Sequence, residues 1–137
     1  MMLWSNMKSQ IKSFALSSKE SAFLIEQNMF YNIIRCLLEK VNVDEAWYLD
    51  RHQDVLMAIR NGDLKSAKDH YLRFGYFEGK LPYNIQVDEN FYLNTYPDVK
   101  MAISSGDIPN AQTHFLMSGA EEGRMPYKDF SLFKITA

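Results

Sequence analysis

The feature that most constrains this chain is a tract written twice without a gap. VDEAWYLDRHQDVLMAIRNGD begins at Val43, VDENFYLNTYPDVKMAISSGD begins 44 positions later at Val87, and more than half the paired positions are identical. The register runs on through HYLRFGYFEGKLPY, His70 to Tyr83, and HFLMSGAEEGRMPY, His114 to Tyr127. A period of about 20 to 50 residues is the signature of a stacked supersecondary unit, and an ungapped match requires both copies to repeat one local geometry. The chain therefore divides into an N-terminal arm (1–42), two units (43–86 and 87–130) and a short tail (131–137).

Each unit reads as three short helices, which makes the expected fold all-α: two tandem three-helix repeats preceded by a helical arm, in a single domain. Asp44 and Asp88 are placed as N-caps, since a carboxylate there accepts from backbone N–H groups that have no helical partner; Val43 and Val87 can staple onto Tyr48 and Tyr92 one turn in. A second helix starts near Asp54 and at Pro97-Asp98, where proline's missing N–H is not needed. It stops at Gly62 or Gly106, residues suited to a left-handed closing turn. A third runs from about Ser66 or Asn110 through His70 or His114 and ends at Gly75 or Gly119, for which a positive φ is expected. Gly79 and Gly123 then reverse the chain, and Pro82-Tyr83 and Pro126-Tyr127 anchor it toward the next unit.

In the arm, Leu3, Trp4, Met7, Ile11, Phe14 and Ala15 fall on one helical stripe. After Ser17-x-x-Glu20, a capping-box spacing, a second stripe runs through Ala22, Ile25, Met29, Ile33, Leu37 and Val41. Two units alone would leave apolar end faces, so the arm is expected to cap or pair with them.

Composition bounds the rest. The 137 residues are 47% hydrophobic and 23% charged with a net charge of −2, the profile of a globular domain. No concentrated cationic face is present to displace counterions, which argues against nucleic acid as a partner. The single cysteine, Cys36, cannot form an internal disulfide. No apolar run reaches the ~20 residues that span a bilayer, and polar residues interrupt the N-terminus where a signal peptide would need its core. A cytoplasmic location is expected. The first nineteen residues hold Lys8, Lys12 and Lys19 and no acid, on a stripe with Trp4 and Phe14. That permits a membrane-surface reading, but three charges attract an anionic surface weakly, so packing on the domain itself or on a twin chain is preferred.

Candidate chemistry is thin. His70 and His114 recur, yet there is no His-x-x-x-His or Cys-x-x-Cys pair, so they are read as structural histidines, each bonding a neighbouring loop through one ring nitrogen. His52 is not repeated and is placed on the surface. The acids Asp44/Asp88, Asp54/Asp98, Asp63/Asp107 and Glu78/Glu122 do not follow an EF-hand spacing, and most fall at helix starts, where carboxylates serve as caps. Cys36, on the strongest amphipathic stripe, is expected to be a buried, inert thiol. No phosphate-binding loop or nucleophile elbow occurs. Neither catalytic residues, nor a cofactor, nor a metal is therefore expected. Most repeated aromatics should build the core, while Trp4, Phe14, Tyr31, Tyr76 and Phe77, with eight methionines, could form a docking face.

Taken together, Asp-Glu-x-aromatic-Tyr-Leu, Pro97-Asp98-Val99, Ala102-Ile103, His114-Phe115 and Glu122-Gly123-Arg124 resemble a bacterial helical repeat found beside glycosyltransferase and methyltransferase domains of surface-polysaccharide synthesis and in secreted repeat proteins. The first unit departs at Gln53 and Lys80, where Pro and Arg are expected. The resemblance covers about two thirds of the chain, carries no catalytic residues, and implies an accessory or scaffold subunit that binds a protein partner such as a glycan-processing enzyme, with a homodimer as a further arrangement. Direct glycan recognition, using Tyr76, Glu78 and Glu122 in a groove between the units, is the alternative.

Overall fold

The structure, a computed structural model, describes residues 11–17 and 20–133, with side chains from residue 24 onward. The chain forms two compact units, residues 1–39 and 40–137. Trp4 and the stripe from Leu3 to Met7 lie outside the described residues, and so do residues 134–137 of the tail.

In the first unit the expected helix is replaced by a hairpin. Strands β1 (Ile11–Ser17) and β2 (Glu20–Ile25) pair antiparallel, with Ile11 opposite Ile25 and Ser17 opposite Glu20. Ser17 and Glu20 thus face each other across the hairpin and do not box a helix start. The reason lies in the pattern: Phe14-Ala15-Leu16 and Ala22-Phe23-Leu24-Ile25 are short apolar runs that fit either period. Serines 13, 17, 18 and 21 disfavour the helical choice, because their hydroxyls compete for backbone groups. Helix α1 (Gln27–Leu38) follows, capped by Glu26, whose carboxylate accepts from Met29 N at 2.9 Å. Met29 and Leu38 are buried, whereas Cys36 is exposed, contrary to expectation. The stripe presumed a helix from residue 20 to 41, and a 12-residue helix carries only part of it.

The second unit is helical. Helix α2 (Glu45–Arg51) is capped by Asp44, which accepts from Trp47 N at 3.0 Å, and α5 (Glu89–Thr95) by Asp88, which accepts from Phe91 N at 3.0 Å. Helix α3 (Gln53–Arg60) and helix α6 (Pro97–Ser105) come next; Pro97 opens α6 as its first residue, and left-handed Gly106 closes it at φ +83°. Gly62 plays the same part after α3 at φ +85°. Helices α4 (Ala67–His70) and α7 (Ala111–His114) start at the caps Ser66 and Asn110, whose side chains accept from Asp69 N and Thr113 N.

Each short helix then widens into a π-helical turn, Tyr71–Gly75 and Phe115–Gly119. Tyr76 N bonds Tyr71 O at 3.0 Å and Ala120 N bonds Phe115 O at 2.9 Å. Gly75 and Gly119 end these turns, but neither has a positive φ; the left-handed glycines here are Gly79 and Gly123, both at +74°. Gly75 and Gly119 are glycine for a different reason. A Cβ on Gly75 would overlap the Tyr48 hydroxyl, and one on Gly119 would overlap that of Tyr92.

Buried Pro82 and Pro126 close the loops, their carbonyls accepting from Asp44 N and Asp88 N, each at 3.0 Å. Tyr48, Val55, Ala67 and Tyr71 are buried in the first tract, as are their counterparts Tyr92, Val99, Ala111 and Phe115 in the second. Ile85 leaves the first tract and joins the second cluster, with Leu81 and Tyr83 packed against it. Those contacts make residues 40–133 one continuous body.

Replacing Gly75 with Ala should destabilise the protein by about 2–3 kcal/mol, through overpacking and the loss of a buried hydrogen bond. Combining it with Tyr48→Phe removes the clashing oxygen, so the double variant should melt higher than the sum of the two single losses requires. Additive losses in thermal melts would contradict the close-approach account.

Candidate functional site

The strongest polar feature inside the second unit is a pair that sequence reasoning missed. Tyr48 Oη lies 2.9 Å from His70 Nδ1, and Tyr92 Oη lies 2.9 Å from His114 Nδ1. Each histidine bonds a tyrosine 22 residues earlier and not the neighbouring loop that was expected. The only available signal was the repetition itself, Tyr48/Tyr92 and His70/His114 recurring at one spacing. Both imidazoles are 8% exposed.

Burial sets the charge state of the first pair. It holds the His70 imidazole below its ordinary pKa and pushes the Tyr48 phenol above its own, so the two are neutral near pH 7. His70 Nε2 stands 4.0 Å from a Glu78 carboxylate oxygen. That carboxylate favours a proton on Nε2, which leaves Nδ1 to accept from the Tyr48 hydroxyl. Burial likewise pushes Tyr92 up to about 12. His52 is not a free surface group: its ring packs edge-on against Tyr48 at 4.6 Å, and burial lowers its pKa too. Tyr96 takes the corresponding place on Tyr92, at 4.8 Å.

Around these pairs the two tracts diverge. Arg124 forks onto Asp98, at 2.7 and 3.0 Å, also binds Glu122, and lies over the Tyr96 ring at 4.9 Å. Its guanidinium holds the Asp98 carboxyl below the usual carboxylate range. In the first tract Lys80 makes a single contact, 2.8 Å to Glu78, whose carboxyl is held down by that bond. Glu45 reaches across to cap α4, accepting from Ala67 N and Lys68 N, while in the second tract Gln112 accepts from Val87 N and donates to Ile85 O.

Two depressions mark the surface. A cleft of about 160 Å³ runs between the tracts, lined by Trp47, Arg51, His52, Lys80, Met117 and Glu121. A wider groove of about 390 Å³ lies on the first tract, lined by Asp54, Asp63, His70, Arg73, Phe74 and Glu78.

Of the aromatic residues of the expected docking face, Tyr31, Tyr76 and Phe77 are the ones whose side chains are described. Phe14 lies on β1, where only the backbone is described, and Tyr31 is half-buried on α1 of the other unit. Tyr76 is half-buried in a chain of rings between Tyr71, Phe77 and Phe133. Phe77 is exposed, while Glu78 and Glu122 are each committed to the cation two residues on. Among the described residues of the second unit the most exposed large apolar side chains are Met57, Met101 and Met117. Among the described residues no three His, Cys, Asp or Glu side chains are grouped to hold a metal, and no helix is long and apolar enough to cross a membrane. Comparison of the chain with known family models, curated proteins and solved structures yields no match.

Because the folded pKa values of His70 and His52 are depressed, the unfolded chain binds more protons once the pH falls below about 6.5. Stability should therefore be level from pH 7 to 8 and decline as the pH drops below that value. Urea midpoints across this range test the sign, and imidazole NMR titrations should place both groups below the ordinary histidine pKa. Tyr71 offers a separate test. Its hydroxyl is buried with no hydrogen-bond partner among the described residues, and its counterpart is Phe115. Tyr71→Phe should leave stability unchanged or raise it by up to about 1 kcal/mol, since it removes an uncompensated polar burial; a clear drop in melting temperature would show that the oxygen is bonded.

Proposed function

We propose that the chain is a tandem pair of three-helix repeats that serves as a non-enzymatic protein-binding module, an accessory or scaffold subunit whose partner is a glycan-processing enzyme. The observation that carries the interaction reading is the exposure of Met57 and Met101. They stand 44 positions apart, on α3 and α6, at 52% and 72% exposure, and Met117 joins them at 77%. A flexible, polarisable thioether held in water gains nothing for the fold, and it suits a surface that adapts to another protein. The buried Tyr–His pairs support the same reading, since each is consumed in holding a glycine turn. The link to glycan enzymes rests on the resemblance of Pro97-Asp98-Val99, His114-Phe115 and Glu122-Gly123-Arg124 to the bacterial repeat.

Charge substitution of Met57, Met101 and Met117 to Glu should leave the melting temperature within a few degrees and abolish capture of the partner by the full chain. Capture undiminished by the triple variant would refute this surface.

A second reading, glycan recognition, is favoured by one feature: the cleft that brings Trp47 and Arg51 together with Lys80 and Glu121. Arg51 already covers one face of the Trp47 indole at 5.0 Å, which leaves the other for a sugar ring. Oligosaccharide titration followed by Trp47 fluorescence separates the two readings.

A further inference from the structure

We propose that the groove on the first tract is a receptor for an arginine side chain of a protein partner. This deepens the interaction reading and rests on it. The chain carries a filled example of the site 44 residues on. There Arg124 lies over Tyr96, forks onto both oxygens of Asp98 and touches Glu122. The corresponding residues of the first tract are His52, Asp54, Glu78 and Lys80. An aromatic ring and two carboxylates are kept, and the guanidinium is gone. Lys80 cannot replace it: its ammonium is a point charge, spent on Glu78 at 2.8 Å, and it has no planar fork for a second carboxylate. Asp54 consequently makes no ion pair or side-chain hydrogen bond among the described residues.

Asp54 and Glu78 both border the groove of about 390 Å³. Phe74, exposed, stands where the second tract has Ser118. That ring already takes a guanidinium in this structure, Arg73 lying over it at 4.9 Å while pairing with Asp69 at 3.4 Å. The charged groups facing the groove or flanking it are Asp54, Asp63, Asp69 and Glu78 against Arg73 and Lys80, an excess of two negative charges. An incoming arginine would pair with Asp54 and Glu78 and lay its plane against Phe74.

The test uses the full chain, labelled with ¹⁵N, and the peptide Ac-Gly-Arg-Gly-NH₂, with the lysine and citrulline peptides as controls. The arginine peptide should shift the amides around Asp54, Phe74 and Glu78 and bind about tenfold tighter than either control, since only it combines charge with a fork. Lys80→Arg installs the second tract's own guanidinium and should abolish that binding with no loss of melting temperature; Arg124→Lys should open a second binding place near Asp98. Equal binding of the arginine and lysine peptides, or full binding by the Lys80→Arg variant, would overturn the proposal. If the partner is captured while the arginine peptide fails to bind, this inference falls and the interaction reading stands. If the triple methionine variant captures the partner undiminished while the peptide binds as described, the reverse holds.

Discussion

The helical unit is organised by a phenol resting against a glycine. Tyr48 and Tyr92 project from first helices onto the π-helical turns that end third helices, each hydroxyl bonding a buried imidazole and sitting where any β-carbon would be. The arrangement couples three requirements. The ring must be buried, so its hydroxyl must be bonded; the imidazole that bonds it must be neutral to stay buried; and the turn beneath must be glycine to admit the oxygen. Losing one member leaves the others either clashing or unsatisfied, which is why a pair 22 residues apart in sequence locks first and third helices together.

Closure of each tract follows from that lock. Once the π turn is set, Gly79 and Gly123 reverse the chain in a left-handed conformation, and the Pro82 and Pro126 carbonyls reach back to the N–H groups of Asp44 and Asp88. The second tract then builds its core around Ile85, supplied by the end of the first. The tracts are thus joined by apolar burial around Ile85 and by the hydrogen bond from Gln112 to the Ile85 carbonyl.

Divergence between the tracts is concentrated outside the lock. Arginine against lysine at Arg124 and Lys80, and tyrosine against histidine at Tyr96 and His52, change how carboxylates are neutralised on the surface and leave the buried geometry alone. In the second tract Arg124 neutralises Asp98 and Glu122, and in the first Asp54 makes no ion pair among the described residues.

How much of this was legible in the chain can be told residue by residue. Asp44, Asp88, Ser66, Asn110 and Pro97 announce helix starts through local backbone chemistry, and the 44-residue register announces that one geometry recurs; such features act over a few residues and survive in any context. Gly75 and Gly119 misled, because a glycine's motive can be its own φ or another residue's proximity, and only the folded chain brings Tyr48 and Tyr92 within reach. The hairpin at Ile11–Ile25 misled for a related reason: short apolar runs satisfy two periods equally, and cross-strand bonds decide between them. The sequence by itself determined the helix starts at Asp44, Asp88, Ser66, Asn110 and Pro97 and the balance of charge. Tertiary structure alone decided which tyrosine meets which histidine, where Cys36 points and that Asp54, unlike Asp98, has no cation among the described residues, since those outcomes depend on distances between residues that no local rule connects.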